Sequence, residues 1–372
     1  VGSDNCFLYD EAGKQYIDVE SGVWWTSVGH NNKRVNKIIT DQINKITHTG
    51  FCYTHPQLDQ TAKRILEKCG IKLGKCEFLC SGSEAVELGL RIARAVAEKP
   101  MVLAFSDSYF GAYGDASVKN SEGWYLHNWL DCPCTKLGDA CNGECDAFKN
   151  IPFEKIGIFL FEPGSSSGLV RFPPEKLLQK IIEKTKEHQI VVMVNEVTTG
   201  IGRTGKWFGY QHYNFVPDIV AIGKGIGNGY PVSITVISEK VASKLESVSF
   251  RYGQSHQNDP LGACVANEVI SIIEEQGLLG KAEEFGNYLR TRLIGMKSEF
   301  PLIKTIRGRG LMLVIELKNS AQAVFEELLE QGFIVAKRPN AEVLRLDPAL
   351  TIDKEIIDKF LDAFKGIVSK IV

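Results

Sequence analysis

Lys224 is the residue in this chain whose setting asks most for chemistry, in the run Asp218-Ile-Val-Ala-Ile-Gly-Lys-Gly-Ile-Gly-Asn-Gly-Tyr-Pro231. The apolar, β-branched stretch Ile219 to Ile222 reads as a buried strand. It delivers the lysine among Gly223, Gly225, Gly227 and Gly229, which let backbone and a bulky ligand approach closely. Burial disfavours the ammonium form and frees the amine to attack a carbonyl carbon. A solvated loop lysine is the ordinary alternative for this residue taken alone.

Four other segments hold groups that can bind or react. Ser81-Gly82-Ser83 follows a short apolar strand and opens a helix, whose first N–H groups suit an anion such as phosphate. Plain N-capping by serine, with Glu84 in the first turn, explains the same residues. Asn195 ends the buried run Ile190 to Val194 and precedes a Gly/Thr/Arg turn that includes Arg203. Its strand and that of Lys224 can deliver groups to one crevice; otherwise the strand simply ends in a loop, with Arg203 on the surface. Ser255 lies in a polar turn before a helix and can cap it or bind phosphate. Arg345 alternates with Leu344 and Leu346 and either faces solvent or aims a bidentate fork at a carboxylate.

The elements that must position these groups alternate. Phe7 to Val19 reads as a hairpin with a turn near Glu11 to Lys14, and Val35 to Thr47 has helical spacing. Strands are expected at Cys76–Leu79, Met101–Phe105, Ile156–Phe161, Ile190–Val194 and Ile219–Ile222, with helices at Ser83–Glu98 and Pro174–His188. Such alternation implies an α/β fold with a mostly parallel sheet sandwiched by helices, and ligands beyond the carboxyl ends of its strands. Leu261 to Glu275 reads as a long helix leaving that domain. The remainder reads as helix, strand (Leu311 to Leu317), helix, two strands and a final helix, a smaller α+β domain. The expected division is an N-terminal segment, 1–40, packing with the small domain, a large domain over 41–275 and the small domain over 276–372.

With 372 residues, 44% apolar and 24% charged, the chain can bury a substantial core as an ordinary globular protein. A net charge of -2 gives no reason to expect nucleic acid or an anionic membrane as partner. No apolar run approaches the roughly 20 residues of a membrane helix. The opening Val1-Gly2-Ser3 does not read as a secretion signal and lacks an initiator methionine, which suggests that a leading segment is missing. Ten cysteines without a secretion signal read as reduced thiols in a cytoplasmic protein. Cys132, Cys134, Cys141 and Cys145 cluster in a Gly/Asp/Pro-rich stretch, where four thiolates can bind structural zinc or, second, an iron–sulfur cluster. The one-residue spacing of Cys132 and Cys134 is not the usual zinc pattern, and loop cysteines are the alternative.

Taken together and in order, these segments resemble the class III (ω-amino acid) aminotransferases of fold type I, enzymes dependent on pyridoxal 5'-phosphate (PLP). The resemblance spans nearly the whole chain. In that family a Ser-Gly-Thr-Glu-Ala segment receives the PLP phosphate, and Ser81-Gly82-Ser83-Glu84-Ala85 matches it. An aromatic-His-Gly segment that stacks on PLP matches Tyr109-Phe110-Gly111 at its ends, and a Glu-Pro strand end matches Glu162-Pro163. The Asp-Glu-Val-Gln-Thr-Gly-x-Gly-Arg-Thr-Gly signature matches Asn195 to Gly205 with two changes. The resemblance implies that Lys224 is the Schiff-base lysine and that Val197 packs the ring face opposite Tyr109. It implies too that Ser255 caps the phosphate of a neighbouring subunit in a homodimer, and that Arg345 holds a substrate carboxylate.

The departures carry their own expectations. Asn195 stands where the family has an aspartate that keeps the pyridine nitrogen protonated; an amide supplies no charge, so slow chemistry is expected. Thr198 replaces a glutamine that contacts the PLP phenolic oxygen. Ala112 occupies the place of an arginine common in users of 2-oxoglutarate, which points to pyruvate as acceptor. Trp24 and Trp25 follow Glu20-Ser-Gly near the substrate entrance; Trp25 is expected in the substrate wall, with core packing the alternative for at least one of them. The activity implied is transfer of an amino group from an amino acid or ω-amine to a 2-oxo acid. An amino acid racemase or epimerase on the same scaffold, or a PLP-binding protein of reduced activity, shares nearly all of these residues.

Overall fold

The structure, a computed structural model, describes residues 1–50, 52–119, 121–132 and 144–371. Its centre is a seven-stranded sheet in the spatial order Gly74–Leu79, Ser233–Ser238, Ile219–Ile222, Val191–Asn195, Ile156–Phe161, Met101–Phe105, Trp124–His127. All neighbours are parallel except Ser233–Ser238, which runs antiparallel to both of its partners.

Period-two alternation of side chains gives this sheet two apolar faces. Ile158, Leu160, Met193, Ile219 and Ala221 join one core; Phe159, Phe161, Val194, Val220 and Ile222 join the other. The strands Ile156–Phe161, Val191–Asn195 and Ile219–Ile222 are buried at every position, as central strands covered on both sides must be. Helix Gly82–Val96 lies on the first face. Gly89 lets it sit close, since a Cβ there would come within 2.5 Å of Met193 Cε.

The strand Ser233–Ser238 escapes a reading by pattern because its polar residues are buried. Ser233 Oγ donates to the Ser81 carbonyl at 2.7 Å, and Thr235 Oγ1 donates to that of Ala85 at 2.9 Å. Hydroxyls satisfied by the helix backbone cost little to bury. Helix Pro56–Lys68 and the strand Trp124–His127 are likewise additions to the expected elements.

Two four-stranded sheets complete the fold. One orders Gly2–Asp4, Phe7–Tyr9, Gln15–Asp18 and Phe333–Ile334, the last pair parallel, so the N-terminal hairpin is joined to the C-terminal part of the chain. The other, antiparallel throughout, orders Ile303–Arg309, Met312–Leu317, Val343–Leu346 and Ala336–Lys337. Helices Leu278–Glu299, Ala321–Glu330 and Lys354–Val368 belong to the same part of the chain.

Candidate active site

The carboxyl ends of the central strands open on a cavity of about 210 Å³. Lys224 enters it after Ile222, Asn195 ends its strand there, and Ser81–Ser83 enter after Leu79. Tyr109–Gly111, Val197, Thr198 and Trp25 complete the wall. A larger hollow of about 650 Å³ lies at the opposite edge, beside Val191 and Asp218 where two strands begin. In parallel sheets ligands bind at the carboxyl edge, which favours the smaller cavity.

Lys224 has φ 47°, a left-handed conformation uncommon outside glycine. A Cβ on Gly223 would come within 3.2 Å of Gly82 Cα, so the lysine turn and the helix start pack backbone to backbone. Burial lowers the Lys224 pKa to about 8, helped by the Arg345 guanidinium and opposed by Glu162, Asp347 and Glu20. Its Nζ lies 4.6 Å from the centre of the Trp24 ring.

At the helix start Ser81 Oγ accepts from Glu84 N–H at 3.3 Å, while Glu84 Oε2 accepts from Cys80 and Ser81 N–H, both at 2.8 Å. This is a complete capping box. Ser81 is therefore a cap, and the other first-turn N–H groups, those of Gly82 and Ser83, are the donors suited to an anion. Gly82 is required: a Cβ would come within 2.7 Å of Val197 Cγ1. Ser83 Oγ accepts from Ala112 N–H at 3.1 Å, tying the Tyr109–Gly111 segment to the helix.

Asn195 is buried, and its amide is fully engaged on one side. Nδ2 donates to the Tyr109 carbonyl at 3.0 Å and to Glu162 Oε1 at 3.2 Å, and Oδ1 accepts from Val197 N–H at 3.1 Å. Glu162 lies behind Asn195 rather than on the cavity wall. Its Oε2 accepts from the N–H groups of Tyr109 (2.9 Å) and Ser166 (3.3 Å), and its Oε1 accepts from Ser166 Oγ. Burial outweighs these donors and raises its pKa to about 7. The Tyr109 side chain is half exposed, free to cover a ligand. Phe110 reaches the wall, but its ring is buried against Trp124. Thr198 Oγ1 is buried without a protein partner, a hydroxyl in want of a ligand atom.

The two tryptophans divide. Trp25 is half-buried on the cavity wall; Trp24 is only 3% exposed, so one of the pair is indeed packed inside. The Arg345 guanidinium lies 3.6 Å from the centre of the Trp24 ring. Arg345 does not touch the cavity wall. It is buried, bound through Nε to Asp347 at 2.5 Å and through Nη2 to Glu20 at 3.2 Å. Burial raises both carboxyl pKa values, and the guanidinium only partly offsets it.

The turn carrying Trp24 was not legible beforehand. Ser21, Gly22, Val23 and Trp24 have φ of 48, 58, 63 and 67°, one left-handed turn. Asp18 holds it: its carboxylate accepts from the N–H groups of Glu20 (2.8 Å), Ser21 (2.9 Å) and Gly22 (3.2 Å), with His30 Nε2 at 2.6 Å. Successive N–H groups converging on one anion form a nest. The only sequence sign was an aspartate just before Glu20-Ser-Gly.

Other expected residues lie apart. Arg203 is not on the surface but buried, donating to the carbonyls of Leu311 (3.0 Å) and Pro348 and to Ser21 Oγ at 3.3 Å. Ser255 is exposed and away from this chain's cavity. Cys132 and Cys145 bring their Sγ atoms to 3.2 Å, while Cys134 and Cys141 lie outside the described residues.

The wall fits PLP. Helix-start N–H groups suit its phosphate, Tyr109 and Val197 offer a flat slot, and the orphaned Thr198 hydroxyl and the Asn195 amide suit the ring's polar atoms. Residues 1–368 match the family Aminotransferase class-III, and the chain belongs to that family of PLP-dependent enzymes, which move amino groups from amine donors to oxo acids. It is 30% identical to the acetylornithine aminotransferase of Aquifex aeolicus, over 99% of this chain and 96% of that protein. It is 31% identical to a leucine/methionine racemase of Thermococcus litoralis, over 100% of this chain and 90% of that one. An S-selective transaminase from an Arthrobacter species shares the fold, with a TM-score of 0.91 at 22% identity over 100% of this chain and 92% of that one. Fold type I is thereby shown. Among the described residues no helix is long and apolar enough to cross a membrane.

Proposed function

We propose that the donor is an amino acid or ω-amine bearing a carboxylate, and that pyruvate is the acceptor. The observation that carries the donor class is the pairing of Lys224 Nζ and the Arg345 guanidinium on one Trp24 ring, at 4.6 and 3.6 Å from its centre. The amine that would hold the cofactor and a carboxylate fork thus lie beside one indole. Ala112, where an arginine would meet a second carboxylate, favours pyruvate over 2-oxoglutarate.

Bound PLP supplies an electron sink for the substrate's Cα–H bond. Lys224, its amine held down to about 8, would hold the cofactor covalently until the substrate amine displaces it, and the freed amine would then carry the proton between carbon atoms as general base and acid. Gly82 and Ser83, with Ser81 as their cap, hold the phosphate, and Ser255 of a second copy completes it. Tyr109 and Val197 would cover the two ring faces, with Thr198 toward the phenolic oxygen and Asn195 toward the pyridine nitrogen. Arg345 turns its Nη2 end from Glu20 to the substrate carboxylate, keeping Asp347 at Nε, and returns to Glu20 when the substrate has none. Trp25 shapes the substrate wall.

Homodimer assembly, a cytoplasmic setting and the division at about residues 40 and 275 belong to the same proposal. So does a zinc site at Cys132, Cys134, Cys141 and Cys145, of which the 3.2 Å approach of Cys132 and Cys145 is the support. Zinc and iron analysis of protein purified without oxygen tests it, and absence of both metals refutes it.

A racemase is the second reading, favoured by the 31% identical relative. The test is the absorbance of the purified protein with a panel of amino donors and no acceptor. Loss of the cofactor's aldehyde-form band with one donor supports transfer and names the donor class. A band that persists while the donor's Cα–H exchanges with deuterium from solvent supports racemisation.

A further inference from the structure

An asparagine at the pyridine nitrogen leaves the cofactor without the negative charge that would hold its ring proton. We infer that Glu162 carries that charge, acting through the Asn195 amide as a positioning residue. The inference rests on the proposed placement of Asn195 at the ring nitrogen.

The orientation of the amide follows from its partners. The Tyr109 carbonyl can only accept, so Nδ2 faces it; the Val197 N–H can only donate, so Oδ1 faces it. Both Nδ2 hydrogens are then committed, one to Tyr109 and one to Glu162 Oε1 at 3.2 Å. What Asn195 can still present to the cavity is the second lone pair of Oδ1. That lone pair attracts a protonated ring nitrogen and repels an unprotonated one.

An amide oxygen alone offers only a dipole. A carboxylate bonded to the far end of the same amide polarises it, and in a buried site such chains strengthen. Moving a proton from the Glu162 carboxyl to the ring nitrogen leaves the net charge of the site unchanged and pairs two opposite charges across the amide. The other groups facing Glu162 set its balance. The Asp107 carboxylate opposes ionisation, Lys119 and Lys224 favour it, and the N–H groups of Tyr109 and Ser166 with the Ser166 hydroxyl donate to it. Burial sets the carboxyl at about 7 before any pyridinium is counted, so a nearby positive charge tips it to the anion.

The test uses holoenzyme loaded with PLP labelled with nitrogen-15 in the ring, read by NMR at pH 8. The wild-type nitrogen is expected to be protonated and the Glu162→Gln nitrogen unprotonated. In the double variant Glu162→Gln with Asn195→Asp it is expected to be protonated again, because the new glutamine amide can donate to the new carboxylate. Ser166→Ala, which removes a donor from Glu162, is expected to lower the pH at which the nitrogen loses its proton. An unprotonated wild-type nitrogen overturns the inference. So does a Glu162→Gln nitrogen like that of wild type, or, if that variant does not fold, a Ser166→Ala titration like that of wild type. Asn195→Leu separates the layers. If it leaves the nitrogen signal unchanged, the placement of Asn195 fails and the inference with it; if it moves the signal and Glu162→Gln does not, the role of Glu162 alone fails.

Discussion

Two cations, the half-buried Lys224 and the buried Arg345, share one indole and answer to different rules. The Lys224 amine is lowered to about 8 from the 10.5 of an unfolded lysine, chiefly by burial. Between those values the unfolded chain binds more protons, so apoprotein stability rises with pH from about 8 toward 10.5, and below 8 the whole penalty is present. Lys224→Met should therefore stabilise the apoprotein at pH 7 by on the order of 3 kcal/mol, an advantage that shrinks by pH 10, as urea midpoints will show. The same variant should lose amino transfer by at least about 10²-fold. Arg345 is the opposite case, a cation whose removal leaves Asp347 buried and unpaired. Arg345→Met should cost about 3–5 kcal/mol of stability. Arg345→Lys keeps the charge and loses the fork. It should raise KM for carboxylate-bearing donors by about ten- to a hundredfold, leaving amines without a carboxylate little changed in steady-state assays.

The elements that carry these residues hold unequal amounts of strain. Central strands and their helices are built from runs that prefer those conformations, and Gly82 and Gly89 relieve two tight approaches. The turn at Ser21–Trp24 is different. A left-handed turn costs non-glycine residues roughly 1–2 kcal/mol each, and Val23 is β-branched. The Asp18 carboxylate, bonded to three successive N–H groups and His30, offsets that cost. Asp18→Ala should destabilise the protein by at least about 2 kcal/mol and free Trp24 from the Lys224 and Arg345 contacts. Urea unfolding and the near-ultraviolet circular dichroism of the tryptophans measure the two effects. Unchanged tryptophan signals would show that packing, not Asp18, holds the turn.

At the scale of the molecule, the site draws on distant stretches of chain. Arg203 ties the turn after Asn195 to Leu311, Pro348 and Ser21. Gln15–Asp18 pairs with Phe333–Ile334, so the segment carrying Trp24 is fastened to the C-terminal part of the chain. If Ser255 completes the site of a second copy, two inactive variants should complement. Lys224→Met supplies a sound Ser255, and Ser255→Glu a sound Lys224, so each mixed dimer contains one intact site. Co-refolding the two should restore activity that neither has alone; mixtures that stay inactive while forming dimers would place Ser255 outside the partner's site.

The sequence by itself determined the parallel core, because runs such as Ile156–Phe161 and Ile219–Ile222 can satisfy their apolar content only as strands covered on both faces. It also determined the chemistry of the cavity edge, since Ser81-Gly82-Ser83, Asn195 and Lys224 each follow such a run directly. Tertiary structure alone decided what those side chains touch. The strand Ser233–Ser238 was hidden because its hydroxyls are satisfied by helix carbonyls that no pattern predicts. Arg203 and Arg345 looked the same in sequence as surface arginines, and only the convergence of remote carbonyls and carboxylates made their burial tolerable. Glu162 behind Asn195, and Trp24 beside both Lys224 and Arg345, are contacts between residues far apart along the chain. Spacing carries no record of such contacts; the packing of one element on another creates them.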